Sequence, residues 1–181
     1  ALQQRFSHAT DLCAEAVHRA RVTAARRGWT DGFTVAARIR EYALATVQGR
    51  SPTECEALRE SATSAVANLA HAPKAVRSIL EQRLAAVAAG TVNPDVAANE
   101  AALRLLCIRA ELISGAPTPP EDLELRREYQ MRRLVESMGH GERVTPAALD
   151  DLALEWIAIG PVEPAVHDAL LARFERCRTA R

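Results

Sequence analysis

This chain has one lysine against 22 arginines, seven aromatic residues in 181, eight glycines and no Cys-x-x-Cys pair. Each shortage removes a class of chemistry. A phosphate-cradling loop of the Walker type ends in lysine, and the single lysine, Lys74, follows a proline rather than a glycine-rich turn. No Gly-x-Ser-x-Gly elbow and no dinucleotide glycine fingerprint occurs. Cys13, Cys55, Cys107 and Cys177 are widely spaced, which removes paired-cysteine zinc and thioredoxin-like motifs and reads as small apolar thiols in a reducing compartment. No apolar run approaches the ~20 residues of a membrane span, and no signal-like segment opens the chain. The expected location is the cytoplasm, with no membrane partner.

What is abundant points one way. Alanine is the commonest residue, and with Leu, Arg and Glu it favours helix, while the β-branched and aromatic residues that strands prefer are sparse. The sequence predicts an all-α protein with no sheet. At 181 residues it can bury a core without metal or disulfide staples. Because Ala1 already falls within a helical pattern, the expectation is a single module, residues 1–181, cut from a longer protein, with 115–120 the one candidate subdivision.

Punctuation refines this. Ser51-Pro52, Asn93-Pro94, Thr118-Pro119 and Thr145-Pro146 each place a capping side chain before a proline that has no amide to leave unpaired. Ser51 with Glu54 and Thr118 with Glu121 have capping-box spacing. Glycines 28, 49, 90, 115, 139 and 160 serve as stops. Helices are therefore expected at 1–27, 32–48, 52–71, 73–89, 94–114, 119–138, 146–159 and 164–178: about eight, mostly antiparallel, in a compact array of hairpins or an irregular bundle. Leu2, Phe6, Ala9, Cys13, Ala16 and Ala20 form a small-residue seam on the first. Helix 94–114 is apolar nearly all round, interrupted mainly by Arg104, Arg109 and Glu111, and is the candidate central helix.

Charge is balanced overall but not locally. Residues 1–50 carry eight arginines against four acids, and residues 51–125 carry six basic residues against ten acids. Opposed patches of this size suit contacts within a chain or with a protein partner. The densest basic feature is Arg126, Arg127, Arg132 and Arg133. On a helix Arg126, Tyr129, Gln130 and Arg133 share a face, a candidate interaction surface that also suits phosphate or a nucleobase. Flanking acids offer helical ion pairs instead, Asp122 to Arg126 and Glu128 to Arg132 among them.

Two acidic patterns resemble metal sites. Glu15-x-x-His18 is half of a di-iron helical motif without its second half, and Asp150-Asp151 with Glu155 sits where a helix N-terminus favours acids in any case. No metal and no cofactor is expected from either.

The tail carries the most specific string: Trp156, Gly160, Pro161, Val162, Leu170 and Phe174. Leu149, Leu152, Ala153 and Trp156 share one helical face, and Val166, Leu170, Phe174 and Cys177 another, so Trp156, Gly160, Pro161 and Phe174 form a structural turn folding one face onto the other. The tail resembles bacterial domain-of-unknown-function family 349, whose repeats carry a Trp, a Gly-Pro-Val-like turn and a helix ending in Phe. Cys107 to Leu112, Glu121-Asp122 and Glu128-Tyr129-Gln130 are similar to a carboxyl-terminal extension of large members, so the resemblance covers about residues 103–177. Leu171 stands where an aromatic often precedes the Phe, and the chain ends seven residues after Phe174. The resemblance implies helical, often tandem, charged domains with no established catalytic residues.

Sequence thus favours a non-enzymatic helical interaction or scaffold module of a larger cytoplasmic bacterial protein, binding a protein partner or other domains of its own chain. The alternative is a nucleic-acid-associated module using Arg126, Arg127, Arg132 and Arg133, or the Arg19 to Arg40 region. An enzyme or ligand binder with an interhelical pocket is the third reading.

Overall fold

The computed structural model describes residues 2–140 and 149–179. Seven α-helices and no strand occur among the described residues, 82% of which are helical, far above the ~30–35% of ordinary globular proteins. They are α1 (Leu2–Val47), α2 (Pro52–Ala67), α3 (Lys74–Ala88), α4 (Val96–Ser114), α5 (Leu123–His140), α6 (Leu149–Ala158) and α7 (Pro164–Thr179), with a single 3-10 turn at Pro120–Asp122.

The expected break near residue 28 does not exist. α1 runs unbroken through Gly28 and Gly32 for 46 residues, about 69 Å at 1.5 Å per residue. The two glycines thin the helix where other chain segments cross it. A Cβ on Gly28 would stand 2.2 Å from the His71 carbonyl oxygen, and one on Gly32 would stand 2.7 Å from a Val76 methyl. Close approach explains these glycines, which carry no left-handed backbone. Gly139 likewise lies within α5.

Caps were read more successfully at some ends than others. Ser51 and Glu54 form the reciprocal box, with Pro52 at the first helical position. Gly49, Gly90 and Gly115 take positive φ just past α1, α3 and α4. Asp95, not Asn93, caps α4, its carboxylate accepting from the Ala98 amide at 3.0 Å; Asn93 instead accepts from the Asp95 amide. Pro73 separates α2 from α3, and α2 ends at Ala67, four residues short of the expected end. Thr118 caps no helix, because its hydroxyl is taken by Glu111 at 2.6 Å. Thr145-Pro146 lies outside the described residues.

α1 from Gly28 onward packs on α2 and α3, α3 meets α6, and α4 packs on α6 and α7. One contiguous core draws on α1 to α4, α6 and α7, and on no α5 residue among the described side chains. Trp156, Phe174 and Phe33 lie at its centre. Trp156 stacks on Phe174 with centroids 4.8 Å apart, and Phe33 meets Phe174 edge-on at 6.2 Å. α4 is the central helix expected, burying Leu103, Leu106, Cys107, Ile108 and Ala110. Before Gly28 the picture reverses: residues 14–27 of α1 are exposed apart from half-buried Ala24, and Val17 and Val22 face solvent. The side chains of Leu2, Phe6, Ala9 and Cys13 lie outside the described residues, so the seam is observed only from Ala16 and Ala20, both exposed.

Candidate functional site

The turn between α6 and α7 is clamped by polar side chains from three other helices. Arg40 of α1 donates through Nε to the Ile159 carbonyl at 3.2 Å and through Nη2 to the Trp156 carbonyl. Arg83 of α3 reaches the same Ile159 oxygen at 3.3 Å. Asn99 of α4 donates to the Pro161 carbonyl at 3.0 Å and to the Asn93 carbonyl at 3.2 Å. These bonds satisfy carbonyls freed where α6 ends, which buried backbone cannot leave unpaired. Gly160 belongs to this clamp, since a Cβ there would lie 2.5 Å from the Asn99 amide nitrogen. Trp156 Nε1 is the buried side-chain polar atom with no hydrogen-bond partner among the described residues.

A second network joins α4, the 3-10 turn and α7. Arg173 is bonded through Nε and Nη2 to Glu111, at 2.5 and 3.0 Å, and through Nη1 to Asp122. Arg104 adds 3.4 Å to Asp122 and 2.9 Å to Glu100. The expected pairing of Asp122 with Arg126 is therefore replaced: Asp122 turns inward, and Arg126 donates to the Thr118 hydroxyl at 2.7 Å. Burial opposes the charge on Arg173, but its bonds to Glu111 and Asp122 outweigh that and raise its pKa. Sequence reasoning passed over Arg173 and took Arg40 only as the end of a basic region, not as a buried clamp. The signal was available, since each falls on an apolar stripe, after Leu170 in one case and between Ala36 and Ala43 in the other.

Of the candidate surface on α5, Arg126, Tyr129 and Arg133 are half-buried and Gln130 is exposed. The four residues are close, but they face partly inward. Tyr129 lies against Arg109, which also grips Glu155 in a two-pronged ion pair. Arg127 pairs with Glu124 at 3.3 Å, and Arg132 is exposed. Among the exposed charged residues of α5, a short apolar row also faces outward: Met131, Leu134 and Val135 are 60%, 54% and 65% exposed. That row, at steps of three and one, is a surface the arginine-centred reading missed.

The metal-like patterns resolve into other contacts. Glu15 and His18 are exposed on the free part of α1. Asp150 pairs with Arg178 at 3.0 Å, which in turn lies over the Trp29 ring at 4.6 Å, while Glu155 holds Arg109. No group of three His, Cys, Asp or Glu residues is placed to hold a metal among the described residues. Two buried thiols are held in the protonated form: burial pushes Cys107 up to about 12 and also raises Cys177.

Two clefts border these networks. One of about 460 Å³ lies over Arg104, Asp122 and Arg173, whose charges answer one another. The other, about 270 Å³, lies between α1 and the start of α7 and is walled partly by Arg40 and His167. No family model, curated protein or solved structure matches this chain.

Proposed function

We propose that the chain is a helical protein-interaction module, the kind of part that belongs to a larger cytoplasmic assembly, and that α5 presents its docking face. The observation that carries this is the outward row containing Met131 and Val135 on a helix none of whose described side chains belongs to the contiguous core. Apolar residues at such spacing are what a helix lays into a partner's groove. Two polar residues of α5, Arg126 and Tyr129, turn toward the bundle, while Met131 and Val135 stay outside it. The resemblance of residues 103–177 to family 349 supports the same reading. No described helix is long and apolar enough to cross a membrane.

The nucleic-acid reading loses ground, because Arg126 and Arg127 are already engaged by Thr118 and Glu124. The test is affinity capture with Met131→Asp/Val135→Asp as the control. The expected result is a partner retained by the wild-type chain and lost by the variant, with both chains melting alike, since these side chains lie outside the core. A partner that binds both equally, or submicromolar nucleic-acid binding that weakens with salt and vanishes in Arg132→Ala/Arg133→Ala, would reverse the assignment.

A further inference from the structure

The buried charges of this molecule are of two kinds. Glu111, Asp122 and Arg173 are answered by one another. Arg40, only 3% exposed, is not: its described partners are the Trp156 and Ile159 carbonyls and His167 Nε2, at 3.1 Å. These groups supply acceptors and dipoles but no negative charge. Arg83 brings a second guanidinium to the Ile159 carbonyl, and its described contacts likewise include no carboxylate. A guanidinium withdrawn from water without a counter-ion is costly unless an anion is supplied. Burial, with Arg83 beside it, pushes Arg40 down to about 9, as that absence requires.

The cleft shows where an anion enters. Its walls are Thr34, Ala37, Arg38, Arg40 and Glu41 of α1, and Val162, Pro164 and His167 around the start of α7. Its volume of about 270 Å³ admits a phosphate or a small carboxylate. Arg38 is exposed at its rim, and the positive end of the α7 dipole lies on its far side. Arg40 can only donate, so His167 Nε2 accepts; the ring is neutral, with its other nitrogen hydrogen facing Asp168 Oδ1 at 3.1 Å. Charged neighbours of this pair are Arg38 and Glu41 of α1, Arg83 of α3, Glu163 just before α7 and Asp168 of α7; Glu163 is held by Gln48, and Glu41 forms no described ion pair with Arg38 or Arg40.

We propose that this cleft binds a small oxyanion, a phosphate or carboxylate group seated against Arg38 and Arg40 at the first turn of α7. The assignment is independent of the α5 docking face. It is tested on the full chain by titration with inorganic phosphate and, separately, malonate, each against sodium chloride at matched ionic strength and pH 7. Thermal midpoint and the His167 imidazole NMR signals are both followed. The expected result is a saturable rise in midpoint with at least one of the two anions, accompanied by movement of the His167 signals. An anion beside the imidazole also raises its titration midpoint. Phosphate acting alone identifies a tetrahedral ligand group, and malonate acting alone a carboxylate. Arg38→Gln should weaken binding by at least about ten-fold through loss of a charge-assisted bond, and Glu41→Gln should strengthen it by removing the competing carboxylate. Both residues lie outside the core, so folding is retained even where Arg40→Gln disrupts the turn. His167 signals unmoved by either anion, or equal binding in Arg38→Gln, would overturn the site.

Discussion

At the residue scale, buried arginine does structural work that apolar contact alone does not. Arg173 holds two buried carboxylates, so Arg173→Met would strand both Glu111 and Asp122 and cost about 3–5 kcal/mol in urea unfolding. Replacing all three with apolar residues of similar size should recover most of that loss, and failure to recover it would show that the network supplies more than charge balance. Trp156→Ala opens a cavity between Phe174 and His167 and should likewise cost about 3–5 kcal/mol, read from the same transition. His167 makes stability pH-dependent. Burial, then Arg40, lowers its pKa below the ordinary 6.5, so the unfolded chain binds the extra proton first. Its contribution is complete above about pH 6.5 and is lost as pH falls toward the depressed folded value. Melting midpoints should therefore drop between pH 7 and 5 in the wild type, and drop less in His167→Gln.

At the scale of elements, the sequence was legible wherever a local rule decided the outcome. Ser51-Pro52 with Glu54 named a helix start, Gly115 named an end, and the apolar run of α4 named the central helix, because caps, left-handed glycines and hydrophobic periodicity act within a few residues. Gly28 was misread because its reason is 43 residues away, at the His71 carbonyl. Glycine as a stop and glycine as a gap look identical in one dimension. Gly28→Ala separates the two: intrinsic propensity favours alanine by ~1 kcal/mol, yet the clash should make the variant less stable by roughly 1–3 kcal/mol in chemical denaturation. A stabilised variant would show that α1 and the α2–α3 connection can separate at no cost. Asp95 in place of Asn93, and Thr118 turned to Glu111, are instead choices between local partners: each stretch offers more than one capping or accepting side chain within a few residues. The tail's Trp and Phe were legible because Gly160-Pro161 fixes the turn that stacks them. Arg40's role there was not, since its partners lie more than a hundred residues downstream.

For the whole molecule, the long first helix has a mechanical consequence. Downstream of Gly28 it is embedded in the bundle, and upstream it extends for a further 26 residues of continuous helix, about 39 Å. The two parts share one ladder of backbone hydrogen bonds, with no joint between them. A helix of this kind behaves as a lever whose fulcrum is the crossing at His71. A tilt of about 10° there carries the far end through roughly 7 Å, given the arm length set by the helical rise. Whatever grips the exposed stretch from residue 14 to 27 therefore gains leverage over the packing around Gly28, and a small rearrangement of that packing is read out as a large displacement farther along the helix.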